Sequence, residues 1–538
     1  MTENYLDILV RTIRENWNQP ALTDFYLTED GTAQDTTRGN RYTYGEMYAE
    51  ICRVAELLTA LGLQKGDHIA ICGANSTHWV IAYLAVAKIQ GVSVTVMHSL
   101  MPDEIANLVA FSDAKALFTD GDIWGEISPL CGSEELCSIG CPVDIHRTKK
   151  GVRCVLSLAD WSLLDGHSDR AMTERQPRED RDISFPSSAP DDLAMICFTS
   201  GTAQNSKGVM LSQLSLSINV SFEYDLLAKH QGNSSVIFLP LYHIYGVMGE
   251  LLRPICAGTH IHILKEVYSP VQLLNCYKLI KPAFLTVVPM MINNLTKVFS
   301  KAKDPSSSAE VVKNLFGENI DIITIGGAAL SKEVEESLLF QGSPFVPSYG
   351  MTECGPGIAR TKRNDFRSGS VGRVVPAMTA RISPEGEILV KGENVMLGYY
   401  KDPEATAQKI DKDGWLHTGD KGYMDEDGYL YVTGRIGQDM IILPNGENIQ
   451  PEDIENKINA LPEVQESIVV ARDGHLVSIV RPTDLSQNTP NIHKEIRHTI
   501  LRTVNPQLPG FSQLYDVEFL EQPLARTAKQ TIKRYLYK

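Results

Sequence analysis

Apolar positions along the chain fall into short runs separated by stretches of helical spacing. Arg41-Tyr42-Thr43-Tyr44 reads as a short strand. An amphipathic helix follows to residue 63, with Leu57, Leu58 and Leu61 at helical spacing and Gly62 as its C-terminal cap. Residues 68–72 then read as a strand, 78–90 as a helix, 92–96 as a strand, 102–110 as a helix opened by Pro102, and 116–119 as a strand. Strands alternating with helices in this way predict parallel α/β layers. Residues 125–190 break the pattern with several prolines and a charge run from Glu174 to Asp182, and read as a mostly irregular insertion. Met195-Ile196-Cys197-Phe198 reads as a buried strand, followed by a loop, a helix near 210–229 and a strand at 235–239. Further α/β units include the strands at 285–288 and 321–325. From about residue 379 the texture changes to short β segments and turns, and beyond Gly434-Arg435 to an α+β tail with a helix at 451–460, a strand at 467–470 and a helix near 491–504. The expected architecture is α/β. A large multi-layer N-terminal domain with a β-rich subdomain spans residues 1–434, and a small α+β C-terminal domain spans 435–538.

The length of 538 residues agrees with more than one core. A formal charge of −16 disfavours a nucleic-acid-binding surface over the molecule as a whole and favours solubility. The N-terminal MTENYLDILVRTIREN carries acids and lacks the apolar centre of a signal peptide. The most apolar long stretch, 79–97, is interrupted by Lys88 and Gln90 and divided at Gly91, so it reads as a buried helix and strand and not as a membrane span. Ten cysteines include a cluster at Cys131, Cys137, Cys141 and Cys154 without zinc-site spacing, so reduced thiols in the cytoplasm are expected. Arg526, Lys529, Lys533, Arg534 and Lys538 give the C-terminus a basic character, read first as a solvated end, with a peripheral contact to an anionic membrane surface as the alternative.

Chemistry is concentrated in six stretches. Thr199-Ser200-Gly201-Thr202-Ala203-Gln204-Asn205-Ser206-Lys207-Gly208 combines backbone N–H groups, hydroxyls and one cation, a composition that grips phosphate, although it lacks the Walker A pattern. Leu239-Pro240-Leu241-Tyr242-His243-Ile244-Tyr245-Gly246 sets a histidine between aromatics. Ile325-Gly326-Gly327-Ala328 ends a strand in small residues that let a flat ligand approach. Ser348-Tyr349-Gly350-Met351-Thr352-Glu353 gathers an aromatic, a hydroxyl and a carboxylate. Trp415-Leu416-His417-Thr418-Gly419-Asp420 places an acid at an expected turn, and Val432-Thr433-Gly434-Arg435 places an arginine at the domain boundary.

In this order the stretches resemble the adenylate-forming (AMP-binding) superfamily, from about residue 40 to the C-terminus. The run from Asp413-Gly414-Trp415 to Gly428-Tyr429-Leu430 is most similar to fatty-acyl-CoA synthetases. The resemblance implies that ATP activates a carboxylic acid, a medium- or long-chain fatty acid, to acyl-AMP, and that coenzyme A then displaces AMP. It implies a phosphate grip from Thr199, Ser200, Gly201, Thr202 and Lys207, and Mg²⁺ held by Thr199 and Glu353. Tyr349 would stack on adenine beside Gly327 and Ala328, within a nucleotide site that includes Gly350, Met351 and Thr352. Asp420 would hold the ribose, Arg435 the ribose or phosphate, and His243 would orient the acid beside Tyr245 and Gly246. It further implies a mobile C-terminal domain hinged after Arg435, which brings the loop Pro444-Asn445-Gly446-Glu447-Asn448 to the site for thioester formation.

Three departures stand out. Ala203, Gln204 and Ser206 replace residues usual in the phosphate loop, where one lost hydroxyl donor is worth about 1 kcal/mol. The position of the family's adenylation lysine is Thr531, and Lys529, two residues earlier, can substitute for it only if the local backbone differs. At the hinge, Gly437 stands where Lys or Asp is usual. These leave two alternatives: a ligase that loads an acyl carrier protein, or a nucleotide- or acyl-binding protein that has lost adenylation.

Overall fold

The structure is a computed structural model. It describes residues 2–131, 152, 154–163, 183–199, 206–266, 269–289, 291–292, 312–327, 344–362, 364–435, 441–443, 447–449, 451–483, 489–525, 532 and 534–537. The main division between its two compact units falls between Gly434 and Arg435.

In the larger unit, local signals start and stop the helices where the sequence indicates. Thr43 and Glu46 form a reciprocal capping box that opens the helix Tyr44–Ala60, and Gly62 lies just past its end at φ 78°. Thr77–Lys88 is buried along nearly its whole length, which explains why its sequence reads as apolar on every side. It packs beside a seven-stranded sheet in the order Gly398–Tyr399, Gly208–Ser212, Leu193–Phe198, Val92–Thr95, His68–Cys72, Ala116–Thr119 and Cys154–Ser157. The last five of these strands run parallel, and the first two join antiparallel. No described helix is long and apolar enough to cross a membrane.

Two expectations are corrected here. Cys154–Ser157 is a buried strand inside the stretch read as irregular; its four residues are too short a signal to stand out among cysteines and polar neighbours. Residues 210–212 end the strand Gly208–Ser212, and the helix starts only at Gln213, capped by the Ser212 side chain.

A second sheet, of four strands, contains Arg41–Thr43, Pro20–Phe25, His260–Leu264 and Ser234–Ile237. A third runs Phe284–Val287, Ile322–Ile325, Phe345–Gly350, Gly357–Arg360 and Arg373–Val374. It begins parallel and ends antiparallel. The β texture after residue 379 corresponds to a fourth sheet: Met378–Ile382, Glu387–Gly392, Leu416–Met424 and Leu430–Arg435. The smaller unit packs the helices Pro451–Asn459 and Pro490–Val504 with the three-stranded sheet Val464–Arg472, His475–Pro482 and Leu514–Phe519. Ile454, Ile458, Val469, Val480, Ile500 and Val517 are among its core residues.

Candidate active site

The central strand Leu193–Phe198 delivers Thr199 at its C-terminal end. The Thr199 amide donates to the Lys207 carbonyl at 3.0 Å, and the Lys207 amide donates to Thr199 Oγ1 at 3.2 Å, so the two ends of the loop are clasped together. Ser200, Gly201 and Thr202, with Ala203 and Gln204, lie outside the described residues. The Lys207 ammonium sits 4.8 Å from the centroid of the Tyr399 ring. The Tyr399 hydroxyl donates to Glu353 Oε1 at 2.6 Å. Glu353 is only 7% exposed. The short turn Thr352–Cys354 carries it directly after the strand Phe345–Gly350, and the Met396 amide holds its carbonyl at 2.8 Å. Within that junction the Met351 amide donates to the Pro356 carbonyl at 3.0 Å. A Cβ on Gly350 would lie 2.0 Å from the same carbonyl oxygen, so only glycine fits there.

Tyr349, four residues before Glu353, donates its hydroxyl to Asp420 Oδ2 at 2.6 Å. Burial, and then the neighbouring Asp420 charge, push the Tyr349 phenol well above its ordinary range, so it remains a donor. Asp420 does not lie in a turn as the sequence suggested. It sits inside the strand Leu416–Met424 at a bulge, where pairing jumps from Leu389↔His417 to Glu387↔Lys421. Gly419 supplies the positive φ of 80° that the bulge requires. Thr418 Oγ1 donates to the Ile388 carbonyl at 2.7 Å and accepts the Asp420 amide at 3.0 Å, and the Gly419 amide donates to Glu387 Oε1 at 2.9 Å. The carboxylate is thereby aimed at Tyr349. Arg435 ends the strand Leu430–Arg435 at the division between the two units.

The third group adjoins Ser348. The strand Ile322–Ile325 runs into Gly326, where a Cβ would lie 2.6 Å from Ser348 Oγ and 2.8 Å from the Tyr245 hydroxyl. Gly327 stands at φ 82°, and among the described residues a Cβ there would meet Val288 at 3.6 Å and Tyr245 at 3.9 Å, ordinary van der Waals contacts. Ala328 lies outside the described residues. His243 is half-buried, its ring 4.6 Å from that of Tyr242. The chain leading to it is fixed from several sides. Asn75 Nδ2 donates to the Leu239 carbonyl at 2.9 Å, Asn75 Oδ1 accepts the Leu241 amide at 3.0 Å, and Thr95 Oγ1 donates to the Tyr242 carbonyl at 3.0 Å. Glu250 Oε2 accepts the amides of Phe238 and Leu239 at 2.8 and 2.7 Å.

Glu250 lies in the π-helical turn Val247–Leu252 and is 2% exposed, and burial pushes its carboxyl up to about 8. The folded protein therefore binds a proton that the unfolded chain releases near pH 4.5. This proton linkage stabilises the fold fully below the unfolded value and is lost as pH rises through about 8. The expected result is a melting-temperature contribution that falls between about pH 4.5 and about pH 8 and levels off above, with a markedly flatter profile for Glu250→Gln. Parallel profiles for the two proteins would contradict it.

Sequence reasoning named Lys207, Glu353, Tyr349 and Asp420 but missed Tyr399, Asn75 and Glu250. Tyr399 reaches Lys207 through sheet pairing across nearly two hundred residues, and its only local trace is the aromatic run Gly398-Tyr399-Tyr400. Lys529 and Thr531 lie outside the described residues, as do residues 444–446 of the loop expected to serve thioester formation. Among the described residues, no group of three or more His, Cys, Asp and Glu side chains gathers as a metal site. The buried carboxylate of Glu353 and the hydroxyl of Thr199 are each hard-oxygen groups of the type that suits Mg²⁺.

The AMP-binding enzyme family profile matches residues 11–400, and the profile of the AMP-binding enzyme C-terminal domain matches residues 438–537. The chain belongs to the AMP-binding enzyme family. The match begins well before residue 40, because the helix Tyr5–Glu15 and the strand Pro20–Phe25 are part of the larger unit. Among curated relatives of this AMP-binding enzyme is the 4-coumarate–CoA ligase of Vanilla planifolia. It is 28% identical over 504 residues, covering 89% of this chain and 85% of the relative. The 4-coumarate–CoA ligase 4 of Arabidopsis thaliana is 28% identical over 543 residues, covering 94% and 89%. A solved structure of a double mutant of Bacillus subtilis o-succinylbenzoate CoA synthetase aligns with a TM-score of 0.72 at 22% identity, over 99% of this chain and 98% of its own. A Mycobacterium tuberculosis fatty acyl CoA synthetase aligns at 0.63 and 20%, over 99% and 97%. At these identities the structures speak for a shared adenylate-forming fold.

Proposed function

We propose that the protein is an ATP-dependent acyl-CoA ligase. The observation that carries this reading is the convergence of a clasped phosphate-type loop with Lys207, the buried Glu353 and the paired Tyr349–Asp420 on one strand-and-turn, Phe345–Cys354, in a chain of the AMP-binding enzyme family. In the first half-reaction a carboxylate oxygen of the acid bonds to the α-phosphorus of ATP. The bond between that phosphorus and the bridging oxygen breaks, and pyrophosphate leaves. In the second, the sulfur of coenzyme A bonds to the acyl carbon, AMP leaves with the electron pair of the acyl–oxygen bond, and the thiol proton is released to solvent.

Lys207 would supply positive charge where phosphate charge accumulates, from a position restrained before reaction starts by the Tyr399 ring. Bound Mg²⁺ would neutralise phosphate charge beside Glu353 and Thr199. Tyr349 and Asp420 would present an aromatic surface and a hydroxyl acceptor to the nucleoside. Gly326 and Gly327, beside Tyr245 and Val288, would let the adenylate and the acyl group approach the backbone, with His243 orienting the carboxylate.

For the acid we propose a medium- or long-chain fatty acid, supported by the sequence run from Asp413 to Leu430. The names of the curated relatives favour a second reading, an acid of the 4-coumarate type. Pyrophosphate release measured with palmitate, octanoate and 4-coumarate in parallel separates them. The first reading expects kcat/KM for a fatty acid at least about tenfold above that for 4-coumarate, a difference of about 1.4 kcal/mol in transition-state binding. The reverse order would overturn the fatty-acid assignment while leaving the ligase reading intact.

A further inference from the structure

We propose that Tyr399 is a positioning residue that holds the Lys207 ammonium and the Glu353 carboxylate as one unit for Mg²⁺ and nucleotide phosphate. The inference rests on the ligase reading above and adds to it a residue that reaches the substrate through its two neighbours.

The backbone around Tyr399 is fixed on three sides. The two-residue strand Gly398–Tyr399 joins the edge of the seven-stranded sheet, with Tyr399 opposite Val209. On either side, the Leu397 amide donates to the Met210 carbonyl at 2.8 Å and the Tyr400 amide to the Gly208 carbonyl at 2.7 Å. The Tyr399 amide donates to Thr406 Oγ1 at 2.8 Å, and Thr406 in turn donates to the Asp402 carbonyl at 2.8 Å. The same chain segment grips Glu353 a second time through the Met396 amide. Tyr399 is thus carried by the strand that follows Lys207 and by the segment that holds Glu353.

Its side chain uses two different surfaces. The ring face receives the Lys207 ammonium at 4.8 Å, a cation–π contact made next to the loop. The hydroxyl makes a short, charge-assisted bond to one Glu353 oxygen at 2.6 Å. The side chain is 5% exposed, and because a carboxylate oxygen accepts, the hydroxyl is the donor in this bond. A hydrogen bond that fixes one carboxylate oxygen orients the other, which is how groups behind a metal ligand set its direction. The ammonium, a flexible point charge on four methylenes, is restrained near the end of the loop and need not be collected from solvent.

Two substitutions separate these surfaces. Tyr399→Phe keeps the ring and removes only the hydroxyl. The Mg²⁺ concentration that half-saturates ATP binding, measured by titration calorimetry, is expected to rise roughly tenfold, the scale of losing one charge-assisted hydrogen bond. ATP affinity at saturating Mg²⁺ should stay within about threefold of wild type. Tyr399→Leu removes both surfaces and should also weaken ATP binding at saturating Mg²⁺. In a double-mutant cycle, Tyr399→Phe added to Glu353→Gln should have little further effect on Mg²⁺ dependence. Melting temperatures of all variants accompany the titrations, since a merely structural tyrosine would lower stability without separating Mg²⁺ dependence from ATP affinity. Wild-type binding with an unchanged Mg²⁺ midpoint in Tyr399→Phe, or additive effects in the cycle, would overturn this inference alone. Failure of the wild type to bind ATP with Mg²⁺ would overturn the ligase reading and this inference with it.

Discussion

Glu353→Gln is expected to lower acid-dependent pyrophosphate release by roughly 10²- to 10³-fold, the range found when one preorganised electrostatic contact to a reacting group is removed. The substitution keeps shape, burial and an acceptor for the Tyr399 hydroxyl, which lies 2.6 Å from Glu353 Oε1. It removes the negative charge that would hold Mg²⁺ against the phosphates. The turn Thr352–Cys354 and its backbone bond from Met396 do not depend on that charge, so the melting temperature should change little. Loss of rate with retained stability, measured on the same preparation, identifies a chemical role. A rate within a few-fold of wild type would remove Glu353 from the site.

The second large effect concerns the smaller unit. Glu455, on the helix Pro451–Asn459, is 5% exposed and Arg534 is 3% exposed. Both guanidinium NH₂ groups of Arg534 donate to the Glu455 carboxylate, one of them at 3.2 Å, and one also donates to the Val469 carbonyl at 2.7 Å. The Val469 amide closes the network on Glu455 Oε1 at 2.6 Å. Removing one member of a buried pair leaves the other charge desolvated and unpaired, at a cost of about 3–5 kcal/mol. Glu455→Ala should therefore reduce hydrogen-exchange protection of the Val464–Arg472 and His475–Pro482 strands by roughly 10²- to several 10³-fold, since each 1.4 kcal/mol is a factor of ten. Protection in the Leu193–Phe198 strand of the larger unit should remain. Uniform loss across both units, or no loss at Val469, would contradict the role given to this pair.

The sequence showed most clearly those elements whose cause is local. Gly62 and Pro102 mark helix ends through capping and backbone restriction, and the structure places those ends within a residue or two. Cys154–Ser157 was missed because a four-residue edge strand carries too little periodicity, and its identity depends on pairing with Ala116–Thr119. Asp420 was visible as a chemical candidate but misplaced. Gly419 signals positive φ equally well for a turn or a bulge, and only the register against Glu387–Gly392 decides between them. Tyr399 shows the same limit at the site. Its neighbours in sequence say nothing of Lys207, yet antiparallel pairing with Gly208–Ser212 brings the two together. Motifs marked the residues expected to touch substrate, whereas the residues that hold them in place emerge only from long-range contacts.

In the proposed reaction one polypeptide couples ATP cleavage at the α-phosphate to thioester formation. The most direct measurement incubates the full-length protein with Mg²⁺, ATP and palmitate, with and without coenzyme A, and quantifies pyrophosphate, AMP and palmitoyl-CoA together. Acid-dependent pyrophosphate is expected without coenzyme A, limited to about one equivalent of enzyme-bound adenylate. With coenzyme A, sustained turnover is expected with pyrophosphate, AMP and thioester in equal amounts. Absence of pyrophosphate with palmitate, octanoate and 4-coumarate alike, or release of ADP and phosphate in its place, would contradict the proposed reaction.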